Sequence, residues 1–178
     1  MSQDIRALLG KVANEDMQAL GDLYDQLSVR VFNYARTITQ SREMAEDITH
    51  DVFLQINRNA ARIAKAADPV AYMMAATRNR CYDLLRRGRR EAPLEDSFGA
   101  GVETPGFDEP LFEEAFAALP VNQREVAYLH LICGFTHKEA AQIQNAPLVT
   151  VKWRYGKALE QLKAYFTENE TEGNHYAT

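Results

Sequence analysis

Apolar residues recur along this chain at three- and four-residue intervals from one end to the other. No stretch keeps the period of two that marks a half-buried strand. The pattern predicts an all-α fold. A first segment aligns Ile5, Leu8, Leu9 and Val12, and a longer stripe runs through Leu20, Leu23, Tyr24, Leu27, Val31, Tyr34, Ala35 and Ile38. The next helix is predicted to open near Ser41, with Glu43 in its first turn, where a carboxylate meets the positive end of the helix dipole. It would bury Ala45, Ile48, Val52 and Ile56 and present Glu46, Asp47, His50, Asp51 and Leu54 on the other face. Asp68-Pro69 pairs a capping side chain with a proline at the first helical position, where a missing N–H is harmless. The helix it starts has the core stripe Val70, Met73, Met74, Thr77, Cys81 and Leu84, with Gly88 as the expected stop.

Residues 91–110, EAPLEDSFGAGVETPGFDEP, hold three glycines, three prolines and six acids, which reads as a linker between two helical domains. The domain boundaries implied are 1–90, a linker at 91–110, 111–168, and a frayed tail at 169–178. The second domain begins with Phe112, Ala115, Phe116 and Leu119, breaks at Pro120, and continues through Val126, Leu129 and Cys133. It then enters THKEAAQIQNAPLVTVKWRYGK at 136–157. Small residues Ala140 and Ala141 beside Ile143 let another helix cross closely, Asn145 tolerates a left-handed turn, and Pro147 separates one helix from the next. Val151, Tyr155, Ala158, Leu159, Leu162 and Phe166 then form a single stripe, leaving Trp153, Gly156, Lys157 and Glu160 outward, flanked by Lys152 and Arg154. This is a helix-turn-helix pattern, and its cationic, aromatic second helix suits a major groove. Small helical bundles without a nucleic-acid partner also contain such turns.

Composition narrows the classes. With 178 residues and 46% hydrophobic content the chain can bury one ordinary core or two small ones. No apolar run approaches the roughly 20 residues of a membrane span, and MSQDIRALLGK lacks the order of a signal peptide, so a cytoplasmic protein without membrane insertion is expected. Cys81 and Cys133 lie in apolar stripes and read as free thiols. His50, His130, His137 and His175 have no nucleophile or metal-ligand spacing around them, so no catalytic centre, metal or cofactor is expected. The net charge of −5 hides a division: residues 1–90 carry +3, 91–110 carry −6 and 111–178 carry −2. Arg78 to Arg90 packs six arginines into thirteen positions, more than a helix dipole requires, which favours phosphate contact.

Taken in order and spacing, AEDITHDVFLQINR at 45–58, RNRCYDLLRRGRR at 78–90 and LPVNQREVAYLHLICGFTHKEAAQIQNAPLVTVKWR at 119–154 resemble the extracytoplasmic-function group of bacterial sigma factors over nearly all of 15–165. The resemblance implies two all-α domains, sigma regions 2 and 4, joined by an acidic linker that lies in the path of the nascent transcript. It implies core RNA polymerase and promoter DNA as partners, and an anti-sigma factor as the regulator. Asp47, His50, Asp51 and Leu54 would meet the polymerase clamp. Tyr72, Asn79, Arg80, Arg86, Arg87, Arg89 and Arg90 would contact the minus-ten region, and Thr150, Lys152, Trp153, Arg154 and Lys157 the minus-thirty-five element. The chain departs from the family pattern at His50, Tyr72 and Val149, and more sharply at Trp153, Gly156 and Lys157, so its promoter preference does not transfer. Two other readings stand beside this one: a degenerate sigma-like module that sequesters an anti-sigma regulator without binding DNA, and a free-standing DNA-binding regulator.

Overall fold

The computed structural model describes residues 2–91 and 110–173. Eight α-helices and one π-helical turn account for nearly all of them: α1 Ser2–Val12, α2 Met17–Thr39, α3 Arg42–Ala64, α4 Pro69–Glu91, α5 Pro110–Ala117, α6 Val121–Ala127, the π turn Tyr128–Ile132, α7 His137–Gln144 and α8 Leu148–Gly173. No strand occurs among the described residues.

The first four helices form a bundle whose seam is the set of stripes anticipated above. Ile5, Leu9, Leu23, Tyr34, Ile48, Met73 and Met74 are almost wholly excluded from solvent. Side chains fix the helix starts. Ser41 Oγ accepts the Met44 amide at 3.2 Å, and Asp16 Oδ1 accepts the Ala19 amide at 3.0 Å. Asp68 Oδ1 takes two amides, Val70 at 2.9 Å and Ala71 at 3.1 Å. Asp68→Ala is expected to lower stability by about 1 kcal/mol, read as a lower urea midpoint at unchanged slope.

Two expectations about this bundle need correction. Gly88 does not stop α4, which continues to Glu91. Glycine weakens a helix by only about 1 kcal/mol, too little to end one whose preceding turns are packed. Tyr24 is not core: it is 47% exposed, with its ring tilted against Phe53 at 4.8 Å between centroids.

In the second half, α5 and α8 pair through stacked Phe112 and Phe166, and Phe116, Leu129, Val151 and Ala158 are buried beneath them. After the π turn the chain reverses through Gly134, whose φ of 74° is the left-handed region that glycine enters without strain. The halves are in contact: α6 and the π turn pack on α2, α7 packs on α4, and the buried apolar residues run as one cluster through both. The acidic segment expected as a linker falls, but for its ends, at 92–109, outside the described residues. Of the tail placed at 169–178, residues 169–173 continue α8 and the remainder lies outside them.

Candidate nucleic-acid and protein interfaces

On α3, Asp47, His50 and Leu54 are exposed on the face opposite Ile48, Val52 and Ile56, as the 3.6-residue period requires. Beside them runs a depression of about 530 Å³ between α2 and α3, lined by Tyr24, Ser28, Val29, Phe32, Arg42 and His50. An adjoining one of about 390 Å³ is bounded by Met17, Leu20, Tyr24, Phe53, Leu54 and again His50. Met17 and Val29 are about two-thirds exposed along this groove. The surface is therefore apolar at its centre, with Asp47 and the Arg42–Glu46 pair along its α3 rim, a composition that favours a protein partner over water.

Asp51 has another occupation. Its Oδ2 accepts from Arg80 Nη2 at 2.5 Å and Nε at 2.9 Å, tying α3 to α4. Two residues that the sequence assigned to separate surfaces are thus one another's partners. Along α4, Asn79, Arg86 and Arg87 face solvent; Arg86 is also held by Asp83. Tyr72 is half-buried, its hydroxyl accepting from Arg62 Nη2 at 2.9 Å. A shallow polar depression of about 480 Å³ gathers Arg78, Asn79, Tyr82, Asp83 and Arg86 on this face. Arg89 and Arg90 lie on the last turns of the same helix.

The helix-turn-helix is built as its sequence implies, with one device unread there. Thr136 and Glu139 form a reciprocal capping box that starts α7: Thr136 Oγ1 accepts the Glu139 amide at 3.3 Å, and Glu139 Oε2 accepts the Thr136 amide at 2.7 Å. Asn145 ends α7 in the left-handed region, at φ 47° and ψ 51°. On α8, Trp153 is 59% exposed and Val149 75%, one turn apart, with Lys152 exposed beside them. Arg154 instead reaches back to α7, donating from Nη1 to Gln144 Oε1 at 3.0 Å, and Lys157 pairs with Glu160 at 2.7 Å. Thr150 is half-buried. Behind this surface the rings of His130, His137 and Tyr155 meet with centroids 4.4–4.8 Å apart. Burial, then the neighbouring His130 and Lys152, hold the His137 imidazole below its ordinary value.

Sequence reasoning missed Glu125. It is completely buried at the meeting of the two halves. Its Oε2 accepts from Arg78 Nε at 2.7 Å and the Tyr34 hydroxyl at 3.3 Å, and its Oε1 from the Tyr82 hydroxyl. Gln144 Nε2 approaches at 3.5 Å. Burial pushes the Tyr82 and Tyr34 phenols up, and Glu125 adds to the shift. A signal was present: Glu125 stands four residues before Leu129 and next to Val126, in phase with the core stripe. Cys81, packed near the same carboxylate, is a buried free thiol; Cys133 is free and partly buried, its thiol pushed up to about 11 chiefly by burial. Among the described residues no group of three or more His, Cys, Asp and Glu is placed to hold a metal, and no helix is long and apolar enough to cross a membrane.

Comparison with known proteins divides the chain at the same place. The Sigma-70 region 2 family matches residues 23–91, and the Sigma-70 region 4 family matches 111–162. The ECF RNA polymerase sigma factor SigK of Mycobacterium sp. (strain JLS) is 27% identical over 175 residues, covering 92% of this chain and 91% of that protein. SigK of Mycobacterium tuberculosis (strain ATCC 25618 / H37Rv) is 26% identical, with coverages of 92% and 94%. Among solved structures, the sigma factor RpoE in complex with the anti-sigma factor NepR, from Bartonella quintana, matches with a TM-score of 0.68 at 20% identity, over 83% of this chain and 96% of that one. CnrH in complex with the cytosolic domain of CnrY matches with a TM-score of 0.66 at 22% identity, over 93% and 98%.

Proposed function

We infer how the surfaces of this chain, which belongs to the extracytoplasmic-function group of RNA polymerase sigma factors, divide the work of transcription initiation. The protein binds core RNA polymerase and directs it to specific promoters under the control of an anti-sigma factor. Its role is non-catalytic and cytoplasmic. Residues 1–90 act as region 2 and 111–168 as region 4, with 91–110 between them.

The groove between α2 and α3 is the polymerase site. The observation that carries this assignment is the coincidence of exposed Met17, Val29 and Leu54 with the acidic rim at Asp47 and with His50, which lines both depressions. A basic helical clamp with apolar knobs fits such a surface. Asp51 and Arg80 brace α3 against α4 and act through that geometry. Asn79, Arg86, Arg87, Arg89 and Arg90, with Tyr72 earlier on α4, contact the minus-ten region, the arginines holding its upstream edge through phosphates. Lys152 and Trp153 read the minus-thirty-five element, while Thr150, Arg154 and Lys157 support them from the flanks of α8.

Asp47→Arg combined with Leu54→Ala should weaken core-polymerase binding at least tenfold, the scale of one interface hot spot, with helix content unchanged because both side chains are exposed. Unchanged capture of core enzyme would remove the assignment. Run-off transcription with core polymerase and a genomic promoter library tests the function as a whole. The sequestering module is the reading that predicts no transcript from any promoter.

A further inference from the structure

Among the described residues, three of the four groups that hydrogen-bond or approach Glu125 belong to the other half of the molecule. Arg78 and Tyr82 come from α4 and Tyr34 from α2; only Gln144 is local. The contact is closed on its flanks. Tyr128 stacks on Tyr34 with centroids 5.8 Å apart, and the Arg78 guanidinium lies 4.5 Å from the Tyr82 ring centroid. A buried carboxylate is tolerated only while its donors are complete, since removing partners leaves a desolvated charge. Partial separation of the halves is therefore disfavoured relative to the shut seam of this structure.

The shut state cannot perform initiation. A compact chain of this length has a radius of gyration of about 16 Å and a breadth of roughly 40 Å. The minus-ten and minus-thirty-five elements are about two and a half DNA turns apart, or roughly 85 Å. Docked halves cannot engage both. We propose that Glu125 is the latch of an intrinsic autoinhibited state, in which the second half is held on α2 and α4 and must be released before the chain can span a promoter. Release also frees Arg78 and Tyr82 on the helix assigned to the minus-ten strand.

The latch itself stands on geometry, whereas its consequence for promoters rests on the sigma-factor reading, and the test separates the two. Small-angle scattering of the full chain is expected to give a radius of gyration near 16 Å for the wild type, rising to roughly 22 Å for Glu125→Lys as the halves move apart. Arg78→Glu should open the chain likewise, and Arg78→Glu with Glu125→Arg should shut it again. Circular dichroism checks that helix content survives. Should Glu125→Lys unfold the second half, Arg78→Gln with Tyr82→Phe loosens the same seam from the other side and is expected to expand the chain in its place. An already expanded wild type, or equal radii for wild type and all opening variants, overturns the latch. On a promoter recovered by run-off transcription, Glu125→Lys should bind a duplex bearing both elements several-fold more tightly and a minus-thirty-five duplex alone equally well. Equal change on both duplexes overturns the autoinhibitory role. If no promoter is recovered, the sigma-factor reading fails while scattering still decides the latch.

Discussion

Replacing Arg86, Arg87, Arg89 and Arg90 with alanine is expected to reduce the slope of logarithmic promoter affinity against logarithmic salt by about 3, because each lost phosphate contact removes roughly 0.7–0.9. At low salt this is the largest loss foreseen for any surface change in the molecule. Arg87 is exposed, and Arg86 pairs with Asp83 at the surface, an exposed pair worth under about 1 kcal/mol that a phosphate readily displaces. The bundle beneath is untouched, so thermal stability should stay close to that of the parent. Titration of a promoter fragment at several salt concentrations measures the slope. An unchanged slope would make the arginines a solvating surface at the end of α4.

Trp153→Ala is expected to weaken minus-thirty-five binding by about 1–3 kcal/mol, between fivefold and a hundredfold or more, the scale of one good base-edge contact. The indole is 59% exposed beside Val149 on the face of α8 opposite buried Val151, Ala158 and Leu162. Its removal should therefore leave stability within about 0.5 kcal/mol. As the sole tryptophan it reports on itself: the free protein should emit as a solvated indole and be quenched by a promoter duplex. Quenching by an anti-sigma partner with no response to DNA would favour the sequestering module. Affinity equal to wild type on the cognate duplex would leave the readout to Lys152.

The elements foreseen from the sequence are those where local chemistry and packing agree. The stripe Val70, Met73, Met74, Thr77 and Cys81, the caps at Ser41 and Asp68, and the left-handed Asn145 are each decided by the residue and its near neighbours in the chain. The outward phase of Trp153 follows from helix period alone. What escaped depends on distant partners. Asp51 and Arg80 are 29 residues apart, and Glu125 meets Tyr34 across 91; no periodicity encodes such pairings. Tyr24 lies in phase with the core, yet at an edge that no other described helix covers. The π turn at Tyr128–Ile132 does not follow from the sequence, because nothing in YLHLI distinguishes it from an ordinary helical segment; its last two residues, Leu131 and Ile132, are more than 40% exposed.

The tie from Arg154 to Gln144 has a consequence for how such a protein can diverge. It ties α7 to α8 from a position beside the exposed side chains of Val149, Lys152 and Trp153. On the proposed assignment of Lys152 and Trp153 to the minus-thirty-five element, reading and scaffolding fall to different positions of one helix. A lineage, or a library randomised at those three sites, can explore new promoters by small steps without passing through unfolded intermediates.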